Sequence, residues 1–123
     1  MINFSKVLIG RSEHQAVNRV LASGWLTMGQ ETIMFEKEFA EFVGAKDAIA
    51  VNSCTAGLFL SLKALGIGEG DEVIVPSFTF VSTVNVIVHA GARPVFADIR
   101  KEDWTLDPKS VEQAITPRTK AII

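Results

Sequence analysis

The sequence predicts an α/β protein, with three layers built around a mostly parallel β-sheet. From residue 48 onward, short β-branched runs alternate with segments of helical periodicity, which is the pattern of successive βαβ units with right-handed crossovers. Turn residues also stand where one element should give way to the next. Gly66 and Gly91 follow predicted helices, and Asp107 with Pro108 has the form of a helix cap and a first-turn proline.

The first 47 residues predict two amphipathic helices joined by the connector 25–29. Ser12 is expected to cap the first helix, which ends near Gly24, and Gly44 is expected to end the second. The apolar positions at helical spacing are Val17, Val20 and Leu21 in the first helix and Phe35, Phe39, Phe42 and Val43 in the second.

The remainder of the chain predicts a regular alternation of elements. These are strand 48–51, helix 55–65, strand 72–76, helix 80–90, strand 94–97, helix 108–115 and strand 120–123. We interpret residues 1–123 as a single partial domain, in which 1–47 form a helical segment and 48–123 form the βαβ portion. The last strand ends on apolar residues with no covering element behind it, so we expect the chain to be the front part of a longer domain.

Composition excludes several classes of protein. An apolar content of 48% in 123 residues is enough for a packed core, and twelve basic against fourteen acidic residues offer no excess charge to bind nucleic acid. The single cysteine, the lack of a secretory segment and the lack of a long apolar run predict a cytoplasmic protein without a membrane span. The two histidines lack metal-ligand spacing, so no metal site is predicted. Glu69, Asp71 and Glu72 are interpreted as solvated charge ahead of a strand.

Two polar turns, 52–55 and 77–80, come directly after β-branched runs. If the two strands are parallel neighbours, both turns open on the carboxyl edge of the sheet, where α/β proteins bind ligands. Thr55 is expected to start a helix whose free amides and dipole suit a phosphate, and Phe80 offers a flat aromatic surface. Two alternatives stay open from the residues alone, because Thr55 can be an ordinary helix cap and Phe80 an ordinary core residue.

Four motifs stand in order along the chain. They are Ser-Gly-Trp-Leu-Thr at 23–27, Asn-Ser-Cys-Thr-Ala-Gly-Leu at 52–58, Gly-Ile-Gly-Glu-Gly-Asp-Glu-Val-Ile-Val-Pro-Ser-Phe-Thr-Phe at 66–80 and Ile-Thr-Pro-Arg-Thr-Lys-Ala-Ile-Ile at 115–123. With them the sequence resembles the DegT/DnrJ/StrS sugar aminotransferases. The resemblance implies the first part of the large domain of a fold type I transferase that uses pyridoxal 5'-phosphate (PLP). It also implies a homodimer that aminates a nucleotide-linked keto sugar, with glutamate as the expected amino donor.

The resemblance also implies particular site residues. It assigns Thr55 and the amide of Ala56 to the cofactor phosphate, and Phe80 to stacking on the pyridine ring. Cys54 is expected to shape the phosphate turn together with Ser53, although a small packed side chain is the alternative for this cysteine. The segment 25–29 resembles the loop near the sugar substrate.

No catalytic residue is expected among these 123 residues. Transamination with PLP needs a lysine that holds the cofactor and a carboxylate that keeps the pyridine nitrogen protonated. In the family that the sequence resembles, both lie beyond this segment, and none of the seven lysines falls on the catalytic position. The leading hypothesis is therefore a segment of a sugar aminotransferase of amino-sugar or cell-surface polysaccharide biosynthesis, expected to be inactive alone. A catalytically inactive remnant and a same-fold sugar dehydratase or regulatory protein remain as alternatives.

Overall fold

The computed structural model describes residues 5–123 and divides into two compact units, one ending at Ala50 and the other beginning at Val51. The first unit contains α1 (Arg11–Ser23) and α2 (Gln30–Val43). The second contains α3 (Cys54–Ala64), β1 (Glu72–Pro76), α4 (Val81–Ala90), β2 (Arg93–Ala97), α5 (Pro108–Ala114) and β3 (Thr119–Ile122). No helix in the described part of the chain is long and apolar enough to cross a membrane. The interpretation of 1–123 as one partial domain stays a prediction.

Both helices of the first unit end where the sequence predicts, at Gly24 and Gly44. The predicted start of α1 is wrong, because Gly10 and not Ser12 occupies the N-cap position. The Gly10 amide donates to the Glu13 carboxylate at 2.6 Å, and the Ser12 hydroxyl, already inside the helix, donates to the same carboxylate at 3.0 Å. The Glu13 carboxylate therefore caps the amino end of α1, which is the role expected of Ser12.

The predicted strand 48–51 is wrong, since these residues form neither helix nor strand. A β-branched run becomes a strand only when its backbone groups pair with a neighbouring chain. Here the amide of Ala50 instead donates to the side chain of Glu36 in α2, at 2.7 Å. The apolar pattern alone could not show that a pairing partner is missing within residues 5–123.

The second unit is built on a parallel sheet of three strands in the order β2-β1-β3. Its strands lie within one residue of the predicted bounds, and the predicted α/β class with a parallel sheet is confirmed. Ile74 of the central strand lies opposite Val95 of β2 and Ile122 of β3. A shift of register follows Glu72, which pairs with Thr119 while the next residue of β1 pairs with Ala121.

The core of this unit lies between the central strand and the helices that precede and follow it. Val73, Ile74 and Val75 are completely inaccessible to solvent, as expected for a central parallel strand covered on both faces. α3 packs against α4. The buried apolar side chains of these two helices are Leu62 from α3 and Val86, Ile87 and Ala90 from α4. This packing fixes the two helices on which the candidate site depends.

The last turns of α3 and α4 meet at the loop 66–71, which enters the amino end of β1. The amide of Ile67 donates to the Leu62 carbonyl at 3.0 Å, and a Cβ added to Gly68 would lie 3.6 Å from the Ala90 carbonyl oxygen. Gly91 ends α4 in the left-handed region, at φ +90°, which favours glycine. Because both helices end at the amino edge of the sheet, both begin at its carboxyl edge.

Candidate functional site

The first turn of α3 supplies the polar half of the candidate site. Ser53, in extended conformation, is the N-cap, and its hydroxyl accepts a hydrogen bond from the Ala56 amide at 3.1 Å. Thr55 is therefore the second residue of the helix and not its cap, which corrects the sequence expectation. The amides of Cys54 and Thr55 have no hydrogen-bond partner among the described residues, and both side chains are exposed.

Phe80 supplies the aromatic half of the candidate site. It occupies the N-cap position of α4, its carbonyl accepts from the Thr83 amide at 3.0 Å, and its side chain is 75% exposed. Within residues 5–123 its ring is paired with no other aromatic ring. Phe80 is therefore not a core residue in this unit, and that alternative does not hold for it.

Thr55 and Phe80 lie on the first turns of two helices that run in the same direction. Both residues are consequently at the carboxyl edge of the sheet, although the strand expected before Thr55 does not form. Free amides, a hydroxyl and the positive end of a helix dipole are suited to an oxyanion, and an exposed phenyl ring is suited to a flat heterocycle. The residues present fit PLP, which carries a phosphate on an aromatic ring.

A second aromatic feature at this edge was not predicted from the sequence. Phe78, in the turn after β1, packs against Trp104, with ring centroids 5.3 Å apart and planes inclined at 44°. Trp104 has a positive φ of 63°, the only such non-glycine residue that the structure describes. The two residues are far apart in sequence, and no local pattern indicates that they meet.

The amino edge of the same sheet holds a charged cluster around Glu72. This side chain is 1% exposed, which corrects its interpretation as solvated charge. It accepts hydrogen bonds from Arg93, Arg118 and Thr116. These contacts, that of Arg93 above all, lower the pKa of Glu72 from 4.5 to about 2. Because this cluster lies at the opposite edge from Phe80, it is separate from the candidate cofactor site.

The connector 25–29 lines a concave surface within the first unit. The indole Nε1 of Trp25 donates to the Met28 carbonyl at 2.8 Å, and a Cβ added to Gly29 would lie 2.5 Å from the indole ring. Glycine is therefore needed at position 29 for this packing of the indole. Arg19 of α1 and Glu31 of α2 approach to 3.7 Å beside the connector. The structure thus shows a connector folded on itself, and its assignment to a sugar substrate stays a prediction.

Comparison with known proteins identifies the family of this chain. The sequence model of the DegT/DnrJ/EryC1/StrS aminotransferase family matches residues 7–123. The spore coat polysaccharide biosynthesis protein SpsC of Bacillus subtilis is 59% identical over 120 residues, which are 98% of this chain and 31% of SpsC. The chain therefore spans about a third of the length of the curated relatives that it matches.

Solved structures agree with this assignment. The putative sugar aminotransferase Spr1654 from Streptococcus pneumoniae, solved in a PLP form, is 40% identical with a TM-score of 0.92, over 98% of this chain and 31% of that one. The aminotransferase TlmJ from Streptoalloteichus hindustanus is 43% identical with a TM-score of 0.88, over 99% of this chain and 34% of that one. Since the family match covers nearly the whole sequence, this chain belongs to the DegT/DnrJ/EryC1/StrS aminotransferase family.

Proposed function

We propose that these residues form the phosphate-binding segment of a PLP-dependent aminotransferase that acts on a nucleotide-linked keto sugar. Glutamate is the proposed amino donor. The observation that carries the proposal is the common position of the α3 first turn and Phe80 at one edge of the sheet. Membership of the family and the PLP form of the similar protein Spr1654 support it.

In this proposal the first turn of α3 binds the cofactor phosphate. The amides of Cys54 and Thr55 and the hydroxyl of Thr55 donate to its oxygens, and the positive end of the helix dipole adds to the attraction. The amide of Ala56 already donates to Ser53 at 3.1 Å, so it contributes by sharing its hydrogen between the serine hydroxyl and a phosphate oxygen. Cys54 acts through its backbone, and its small side chain leaves the phosphate accessible.

Phe80 is proposed to stack on the pyridine ring and to set the plane in which the cofactor lies. Its exposed ring at the first turn of α4 is available for this contact. The bound cofactor supplies an electron-accepting ring for the exchange of amino and keto groups. The residues of this chain bind and orient it, while proton transfer needs a lysine that we place outside this segment.

Further parts of the proposal concern the whole protein. We propose that it acts as a homodimer in the cytoplasm, in the synthesis of amino sugars for cell-surface polysaccharides. The biosynthetic role follows the name of SpsC, the relative from Bacillus subtilis. We also propose that residues 1–123 belong to one domain of this enzyme, with its first 47 residues contributing the loop near the sugar.

The test uses the protein expressed from its complete reading frame and mixed with PLP. We expect an absorbance band near the visible edge that borohydride fixes covalently, and a loss of this band when glutamate is added. A nucleotide-linked keto sugar should then restore it. Absence of the band at saturating PLP contradicts the proposal. A band that glutamate does not change supports the alternative of a same-fold dehydratase or regulatory protein.

A further inference from the structure

The loop between β2 and α5 holds a bulky residue in an unfavourable backbone conformation. Trp104 has φ +63°, in the left-handed region where Cβ crowds the following carbonyl oxygen. Glycine and asparagine are the residues that usually occupy this region. A residue stays in an unfavourable backbone conformation only when the surrounding structure holds it there. Such residues are concentrated at functional sites.

The backbone of this loop is held by contacts that do not need an indole. The Trp104 amide donates to the Arg100 carbonyl at 3.0 Å, and the Arg100 amide donates to the Thr105 carbonyl at 2.8 Å. The Asp103 carboxylate accepts from the amide and the hydroxyl of Thr105, at 3.1 and 2.8 Å, and pairs with Arg100. A glycine at position 104 would satisfy the same turn without the conformational cost.

What the tryptophan adds is its contact with Phe78. The two rings pack at 5.3 Å, within the range of favourable aromatic pairs. Phe78 precedes Phe80 by two positions, in the turn that leaves β1. On the other side of this turn, the Thr79 hydroxyl is 3.1 Å from the hydroxyl of Thr83, which is 8% exposed. The turn is therefore fixed at the two residues immediately before Phe80.

We propose that Trp104 is a positioning residue for the cofactor site, because its indole holds Phe78 and thereby the turn that presents the Phe80 ring. The inference rests on the proposed function and deepens it. Without the indole, Phe78 can rotate and the turn can adopt further conformations. The Phe80 ring then occupies its stacking orientation for a smaller fraction of the time, and the apparent affinity for PLP falls toward that of a site without the stacked ring.

The experiment measures PLP affinity and the apo-protein melting temperature for the protein expressed from its complete reading frame. Trp104→Gly removes the ring and suits the backbone, so we expect an unchanged or higher melting temperature. We expect PLP affinity to be weaker by a factor within the about 2- to 13-fold that loss of the Phe80 stack itself would give, since Trp104 acts only through that ring. Trp104→Phe should restore most of the affinity, because it restores an aromatic partner for Phe78. Phe96→Ala removes an exposed aromatic residue of β2 that has no ring partner among those described, and serves as the control.

The outcomes separate the inference from the proposed function. A Trp104→Gly protein that binds PLP as tightly as the wild type overturns the inference alone. A loss of melting temperature in step with affinity, with no rescue by phenylalanine, assigns Trp104 a merely structural role and also overturns it. A wild-type protein that binds no PLP overturns the proposed function, and the inference with it. Weakened affinity at unchanged melting temperature, rescued by Trp104→Phe, supports the inference.

Discussion

Arg118 donates from Nε to one carboxylate oxygen of Glu72 at 2.7 Å, and its Nη2 forms an ion pair with the same oxygen at 2.6 Å. Arg93 donates to the same oxygen at 2.6 Å, and the Thr116 hydroxyl donates to the other at 2.7 Å. Glu72 begins the central strand, Arg93 begins β2, and Arg118 immediately precedes β3. One buried carboxylate therefore links the amino ends of the three strands.

The Glu72 contacts predict a pH-dependent stability. Its pKa is lowered from 4.5 to about 2, so its stabilising contribution is complete above pH 4.5 and is lost as the pH falls toward 2. We expect the melting temperature of the wild type to fall across this interval more steeply than that of Glu72→Gln, which has no charge to lose. Asp103, whose pKa is lowered chiefly by the Thr105 amide, is present in both proteins and cancels in the comparison. Equal slopes for the two proteins would contradict the prediction.

The position of the α3 cap predicts unequal effects at two neighbouring hydroxyl residues. Ser53→Ala removes the acceptor for the Ala56 amide and should lower the free energy of unfolding by about 1 kcal/mol. Thr55→Ala, inside the helix, should be close to neutral or slightly stabilising, because alanine favours the helix. Denaturant unfolding of both variants measures the difference. A larger loss at Thr55 than at Ser53 would place the cap where the sequence alone suggested.

Phe80→Ala should weaken PLP binding without affecting the fold. The side chain is 75% exposed, so its removal creates no cavity in this unit. A stacked aromatic pair contributes roughly 0.5–1.5 kcal/mol, which corresponds to an affinity about 2- to 13-fold weaker. Titration of the apo-protein with PLP measures the effect. Leu65→Ala, an exposed apolar residue just beyond the other end of α3, should leave the affinity unchanged. Unchanged affinity in Phe80→Ala would remove this residue from the site.

The packing of α4 predicts a strong dependence of stability on Ile87. This side chain is completely buried, so Ile87→Ala should lower the free energy of unfolding by about 2–5 kcal/mol. Asn85→Ala, on the exposed side of the same helix, should change it by less than about 0.5 kcal/mol. Denaturant unfolding compares the two variants. A small effect at Ile87 would show that the core is organised around other residues.

Sequence reasoning predicted the central strand correctly because its signal is local. Residues 72–76 are a β-branched run bounded by Gly70 and Pro76, and both bounds match the structure. The run 48–51 is also apolar but lacks a pairing partner in the described chain, which composition cannot reveal. The cap of α3 was misplaced for a different reason. Asn52, Ser53 and Thr55 are all good caps, so only the backbone conformation distinguishes among them.

The candidate site was partly predictable. Thr55 and Phe80 each follow a turn signal, and the alternation of elements was sufficient to expect them at one edge of the sheet. The contact of Phe78 with Trp104 depends on how a later loop folds back, and no sequence pattern encodes it. The burial of Glu72 was missed because its partners, Arg93 at the start of β2 and Arg118 immediately before β3, lie beside it only in the folded sheet. Long-range contacts account for most of what the sequence left unresolved.

The order of the strands also bears on how the protein is made. The central strand leaves the ribosome before either of its neighbours, meets β2 first and gains β3 only when Ile122 has been synthesised. Until then the nascent chain presents one unpaired, strongly apolar border, the kind of surface on which chaperones act and from which aggregation starts. Pairing with β3 covers this border, so residues 119–122 protect β1 as well as extend the sheet.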